Sequence, residues 1–131
     1  MSEPVWLERE ALLQLHQIGL EQFGGAPGVR DTGLLEAALM RARQVHAYEP
    51  ETDIFALAAA YTGGFVRNHP FVDGNKRAGF AAALVFLAAN GWDLEASSDE
   101  ATAQVVGLAA RDVTEEAFAG WLRSRCVPLR A

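Results

Sequence analysis

The chain has 131 residues, half of them apolar and 21% charged, with a formal net charge of −6 and a pI near 5.0. A chain of this length reads as a single domain, 1–131, that buries about two-thirds of its unfolded surface and needs no disulfide or metal staple. Its acidity excludes a broad grip on nucleic acid, so no direct nucleic-acid binding is expected and an anionic ligand must be held by a local positive patch.

The lone cysteine, Cys126, forms no internal disulfide, and the opening MSEPVWLERE is acidic, with no basic-then-apolar leader. The longest apolar run, 78–89, falls short of the ~20 residues a bilayer span requires. These features point to a cytoplasmic protein without a membrane partner.

In chain order, residues 7–23 follow the helical period through Leu12, Leu15 and Gly19/Phe23. GGAPG (24–28) breaks that helix. Asp31 is a good N-cap for a second helix carrying Leu34, Leu35, Ala38, Ala42 and Val45, with Arg41 and Arg43 toward its negative end. A short connection with Pro50 leads to a third helix over about 53–68, amphipathic through Ile54, Leu57, Ala58, Tyr61 and Phe65. Residues 76–90 are apolar on nearly every side, which predicts a helix surrounded by others. Asn90-Gly91 ends it, and 92–95 reads as a short extended link. Ser97 or Ser98 caps a fifth helix, and Thr114 caps a sixth whose Phe118, Trp121 and Leu122 face inward. The expected fold is all-α, a bundle of about six helices around a central buried helix at about 76–90.

Between the third and fourth helices lies NHPFVDGNKR (68–77). Gly74, Asn75, Lys76 and Arg77 open a helix, where the first backbone N–H groups lack partners and the dipole is positive, so they form an anion site. Arg77 adds a fork and Lys76 a mobile charge, with Arg67 nearby. Asp73 beside a polyphosphate suits Mg²⁺, which takes one or two carboxylates plus substrate phosphates. The imidazole of a histidine has a near-neutral intrinsic pKa, so His69 suits removal of a proton from an attacking hydroxyl. Phe71 serves as an apolar anchor for the loop. Taken singly, each of these residues has an ordinary structural explanation as a buried histidine, a loop cap or a turn. Their combination is the parts list for transferring part of a nucleotide to a hydroxyl.

HPFVDGNKR closely resembles the signature of the Fic/Doc superfamily, HPFx(D/E)GN(G/K)R, and its lysine variant resembles the Doc (death on curing) toxins of type II toxin–antitoxin systems. The segments 23–44, 47–61 and 82–96 are similar to Doc segments in order and spacing. The resemblance implies His69 as general base, Asp73 as Mg²⁺ ligand, Asn75, Lys76 and Arg77 as the phosphate site, and Phe71 as structural anchor. AMP-transferring Fic proteins usually carry glycine where Lys76 stands and a second arginine where Phe80 stands. Both departures match the Doc branch, whose activity is phosphorylation of elongation factor Tu on a threonine with ATP. A lysine in the cradle occupies α/β-phosphate space and favours a reversed nucleotide. The expected activity is therefore γ-phosphoryl transfer by a toxin that blocks translation, with AMP transfer or a non-catalytic partner-binding domain as alternatives.

Arg30-Asp31 begins a segment that in the family lies near the site, as a contact for the target or an antitoxin; a plain N-cap is the competing reading of Asp31. Thr32–Glu36 has the spacing of the self-inhibitory motif (S/T)xxxE(G/N), but Ala37 follows it. The inhibitor is therefore expected in trans, as a cognate antitoxin whose C-terminal segment folds into a groove near the motif. His16 reads as a buried histidine with one hydrogen bond, His46 as a helix-terminal cation, and no zinc pattern is present.

Overall fold

The computed structural model describes residues 3–129. Six helices appear among them: α1 (Arg9–Phe23), α2 (Thr32–Tyr48), α3 (Ile54–Asn68), α4 (Asn75–Ala89), α5 (Ser98–Ala110) and α6 (Glu115–Arg125). The all-α bundle expected from the sequence is what forms. Side chains of Asp31, Asp53, Ser97 and Thr114 cap α2, α3, α5 and α6 by accepting from Leu34, Ala56, Glu100 and Ala117 N–H groups.

The most enclosed helix is α3 rather than the one at 76–90. From Leu57 to Val66 every residue of α3 is buried, and α2, α4, α5 and α6 all pack against it. Its small residues allow this. Gly64 lies against Ala38 of α2. Thr62 donates from Oγ1 to the carbonyl oxygen of Gly79 in α4 at 2.9 Å, satisfying a buried hydroxyl. Buried Tyr61 accepts from the Leu7 N–H at 3.1 Å, and burial raises its pKa.

Helix α4 buries Ala78, Gly79, Ala82, Ala83, Phe86 and Leu87, whereas Val85 stays 38% exposed. Phe80, Ala81 and Leu84 are half-buried and border a groove toward α1, Phe80 also meeting the Trp121 ring of α6. An all-apolar composition therefore did not identify the innermost helix, because alanine and valine cost little on a surface.

Helix α1 turns Leu12, His16 and Leu20 inward. Phe23, expected on that face, is 67% exposed; its ring instead lies under the Arg77 guanidinium, 5.3 Å from the ring centroid. The extended link at 92–95 is strand β1 (Trp92–Leu94), which pairs antiparallel with β2 (Cys126–Pro128) in the register Asp93↔Val127. That pairing joins segments far apart in sequence and had no signal in the periodicity. Among the described residues no helix is long and apolar enough to cross a membrane.

Candidate active site

The chain leaves α3 through His69, which is left-handed at φ 48, ψ 56 and donates its N–H to the carbonyl oxygen of Phe65 at 3.2 Å. For a residue with a Cβ this conformation costs about 1–2 kcal/mol, so neighbouring groups must hold it. Arg30 does so. Its Nε donates to the carbonyl oxygen of His69 at 2.7 Å and its Nη2 to that of Asn68 at 2.9 Å, a cation on the negative end of a helix. The backbone of the same segment lies antiparallel to the loop: Arg30 N–H donates to Pro70 O at 2.7 Å, and Val72 N–H to Gly28 O at 3.0 Å. Arg30 and Asp31, expected as contacts for a target or antitoxin, are exposed and also serve the chain itself, Arg30 through Nε and Nη2 and Asp31 through Oδ1 as the α2 cap. His69 itself remains exposed at the mouth of the site.

Phe71 is 1% exposed and stacks between His16, at 3.6 Å and 6°, and Phe65, at 6.1 Å and 9°. The backbone of Phe71 is clasped by Asn75: its N–H donates to Asn75 Oδ1 at 2.9 Å, and Asn75 Nδ2 donates to its carbonyl oxygen at 3.0 Å. The Asn75 side chain, 8% exposed, therefore shapes the loop. Its backbone N–H is the part left for an anion.

Gly74, at φ 79, is the N-cap of α4 and contributes no side-chain cap. Its own N–H goes to Asp73 Oδ1 at 2.8 Å, and its carbonyl oxygen accepts from Ala78 at 2.9 Å. The N–H groups of Asn75, Lys76 and Arg77 remain without intrahelical partners. Lys76 and Arg77 are exposed and, among the described residues, neither has a carboxylate within ion-pair distance, whereas Arg67 is drawn toward Glu115 at 3.4 Å. Arg77 Nη2 donates to the carbonyl oxygen of Gly24 at 2.8 Å, at the C-terminal end of α1. His69, Asp73, Gly74, Asn75, Lys76 and Arg77 line one cavity of about 270 Å³.

Asp73 is exposed at this cavity, with Ala26 N–H on Oδ2 at a long 3.3 Å. Among the described residues no group of three or more His, Cys, Asp or Glu side chains converges. One carboxylate beside free backbone donors fits a Mg²⁺ ion whose other ligands are phosphates and water, not a protein-only cage. Glu36, the self-inhibition candidate, pairs with Arg9 in the first turn of α1. His16 is buried with one hydrogen bond, as its sequence position suggests, and that bond joins α1 to the motif at the Asp73 carbonyl oxygen, 2.8 Å away.

A loop that sets an exposed histidine and a carboxylate beside an open helix N-terminus can hold an anion next to a group able to take a proton. Residues 6–87 match the Fic/DOC family model, and the chain belongs to that family. It is 37% identical to the protein kinase doc of Escherichia phage P1 over 114 residues, covering 87% of this chain and 90% of that protein. It is 42% identical to the toxin Doc of Mycolicibacterium smegmatis over 95 residues, covering 72% of this chain and 71% of the relative.

Proposed function

We propose that this chain is a Doc-type toxin that transfers the γ-phosphate of ATP to a protein hydroxyl, with a threonine of elongation factor Tu as its target. The observation that carries this reading is a single cavity onto which His69, Asp73, Lys76 and Arg77 all open, in a chain similar to a protein named as a kinase. In the proposed reaction His69 accepts the proton of the target hydroxyl while that oxygen bonds to the γ-phosphorus. The bond from that phosphorus to the β–γ bridging oxygen breaks, and ADP leaves. Lys76, Arg77 and the N–H groups at the start of α4 hold the phosphate oxygens against repulsion as charge shifts to the leaving group. Mg²⁺, held through Asp73, would neutralise charge on the phosphates when bound. Lys76 where AMP-transferring relatives have glycine, and Phe80 where they have arginine, favour phosphoryl over nucleotidyl transfer.

The uncovered face of α4 supports an inhibitor supplied in trans. A groove of about 510 Å³ between α1 and α4 is lined by Leu15, Ile18, Phe23, Phe80 and Leu84, and Arg77 borders it. Ile18 and Phe23 are 48% and 67% exposed. This groove suits the apolar face of an amphipathic antitoxin segment.

The test is incubation with elongation factor Tu and ATP labelled at the α or the γ position, read by label transfer and by mass. Gain of one phosphate, labelled from the γ position, is expected; label arriving only from the α position means AMP transfer. His69→Ala should lower transfer by about 10²–10⁴-fold while the fold and antitoxin binding persist. Unchanged growth on expression without the antitoxin would count against a toxin.

A further inference from the structure

His16 is a buried polar side chain that the proposed reaction does not use. Its ring is 7% exposed and lies flat on Phe71, with Nε2 2.8 Å from the carbonyl oxygen of Asp73. A carbonyl oxygen only accepts, so Nε2 must carry the hydrogen. Across the same peptide unit, the Gly74 N–H is held by Asp73 Oδ1 at 2.8 Å. Both ends of the Asp73–Gly74 peptide are therefore held, the carbonyl from α1 and the N–H from within the motif.

This peptide immediately precedes the free N–H groups of α4. Glycine tolerates either sign of φ, so at Gly74 only the exposed bond from its N–H to Asp73 Oδ1 opposes rotation of the peptide plane. Such a rotation would move a carbonyl dipole toward the point where the donors of Asn75, Lys76 and Arg77 converge, and oxygen beside a phosphate is repulsive. A Cβ built on Gly74 would stand 3.5 Å from the His16 ring, so the ring packs directly against the turn.

We propose that His16 is a positioning residue for the anion site: its Nε2–H keeps the Asp73 carbonyl oxygen on the α1 side of the loop, so that a bound phosphate meets donors alone. This rests on the nucleotide-binding reading above. The full chain, His16→Phe and His16→Gln are compared for equilibrium binding of ATP with Mg²⁺ by calorimetry and for thermal unfolding. Phenylalanine keeps a ring on Phe71 without the donor; glutamine keeps an N–H at about the same reach without the ring.

H16F should bind ATP about tenfold more weakly, the scale of one lost hydrogen bond, and H16Q within about threefold of the unsubstituted chain. Thermal stability should rank the other way, with H16F above H16Q, an inversion that a purely structural role would not give. Binding by H16F equal to that of the unsubstituted chain, or H16Q weaker than H16F, overturns the proposal. So does an ¹⁵N spectrum of the unsubstituted chain showing Nε2 without a hydrogen at neutral pH, a measurement that needs neither variant to fold. Failure of the unsubstituted chain to bind ATP sinks the nucleotide reading together with this proposal; an indifferent H16F beside a binding parent sinks the proposal only.

Discussion

Arg30 donates from Nε to the carbonyl oxygen of His69 at 2.7 Å, so the residue expected to act as base is held through its backbone by a side chain 39 positions earlier. The second donor of the fork reaches Asn68, and together they close the C-terminal end of α3 where the chain turns left-handed. Arg30→Ala should cost only about 1 kcal/mol in urea denaturation, because the contact is exposed. Turnover should fall further, by about tenfold, since a base held loosely loses its alignment with the hydroxyl. Lysine at position 30 cannot make the fork and should restore little. A single-turnover assay beside the denaturation curve separates the two effects; turnover that tracks stability alone would refute the clamp.

The clasp between Asn75 and Phe71 predicts a different pattern. Asn75→Ala leaves the buried N–H of Phe71 without its acceptor, a loss of about 1–3 kcal/mol. Asn75→Asp keeps that acceptor and loses only the donor to the Phe71 carbonyl oxygen, so it should be the milder of the two. Chemical denaturation of both variants gives the order.

Gly63 is needed for an ion pair rather than for a turn. A Cβ there would run into Glu115 Oε1, the oxygen that meets Arg41 and joins α6 to α2. Gly63→Ala displaces the Glu115 carboxylate end and weakens its pairing with Arg41, a loss that alanine's helix propensity offsets by about 1 kcal/mol, so the net destabilisation should be no more than about 1 kcal/mol. Adding Glu115→Ala removes the obstruction, so the double variant should lose less than the sum of the single losses. A double-mutant cycle measures the coupling, and strict additivity would show that the clash is relieved elsewhere.

Cys126 is pushed up from 9.0 to about 11 by burial, with the Asp93 carboxylate adding to the effect. A raised thiol pKa favours the protonated folded state, so this contribution is complete below pH 9 and is lost as pH rises from 9 toward 11. At pH 8 the thiolate fraction should be about a hundredfold below that of a thiol at its ordinary pKa. Iodoacetamide should therefore label the folded chain far more slowly than the urea-unfolded chain; equal rates would contradict the burial.

Much of the architecture was legible in the chain because helices are written locally. Apolar spacing and the caps at Asp31, Ser97 and Thr114 give the helices to within a residue or two. The motif from His69 to Arg77 is contiguous, so its chemistry could be read without a fold, and its likeness to the Fic/Doc signature identified the family. Exposure was less readable. Phe23 and the outer face of α4 are apolar and yet uncovered, since composition states what a residue tolerates and not what neighbour arrives.

By itself the sequence determined that six helices form and that one loop carries the histidine, the carboxylate and the cations. Tertiary structure alone decided what supports that loop: Arg30 on the His69 carbonyl, His16 on the Asp73 carbonyl 57 residues away, and Arg77 on the Gly24 carbonyl 53 residues away. These contacts end on backbone oxygens, which every residue possesses, so no side-chain pattern marks the partner. They exist only once α1 and the 28–31 segment have closed against the end of α3 and the start of α4.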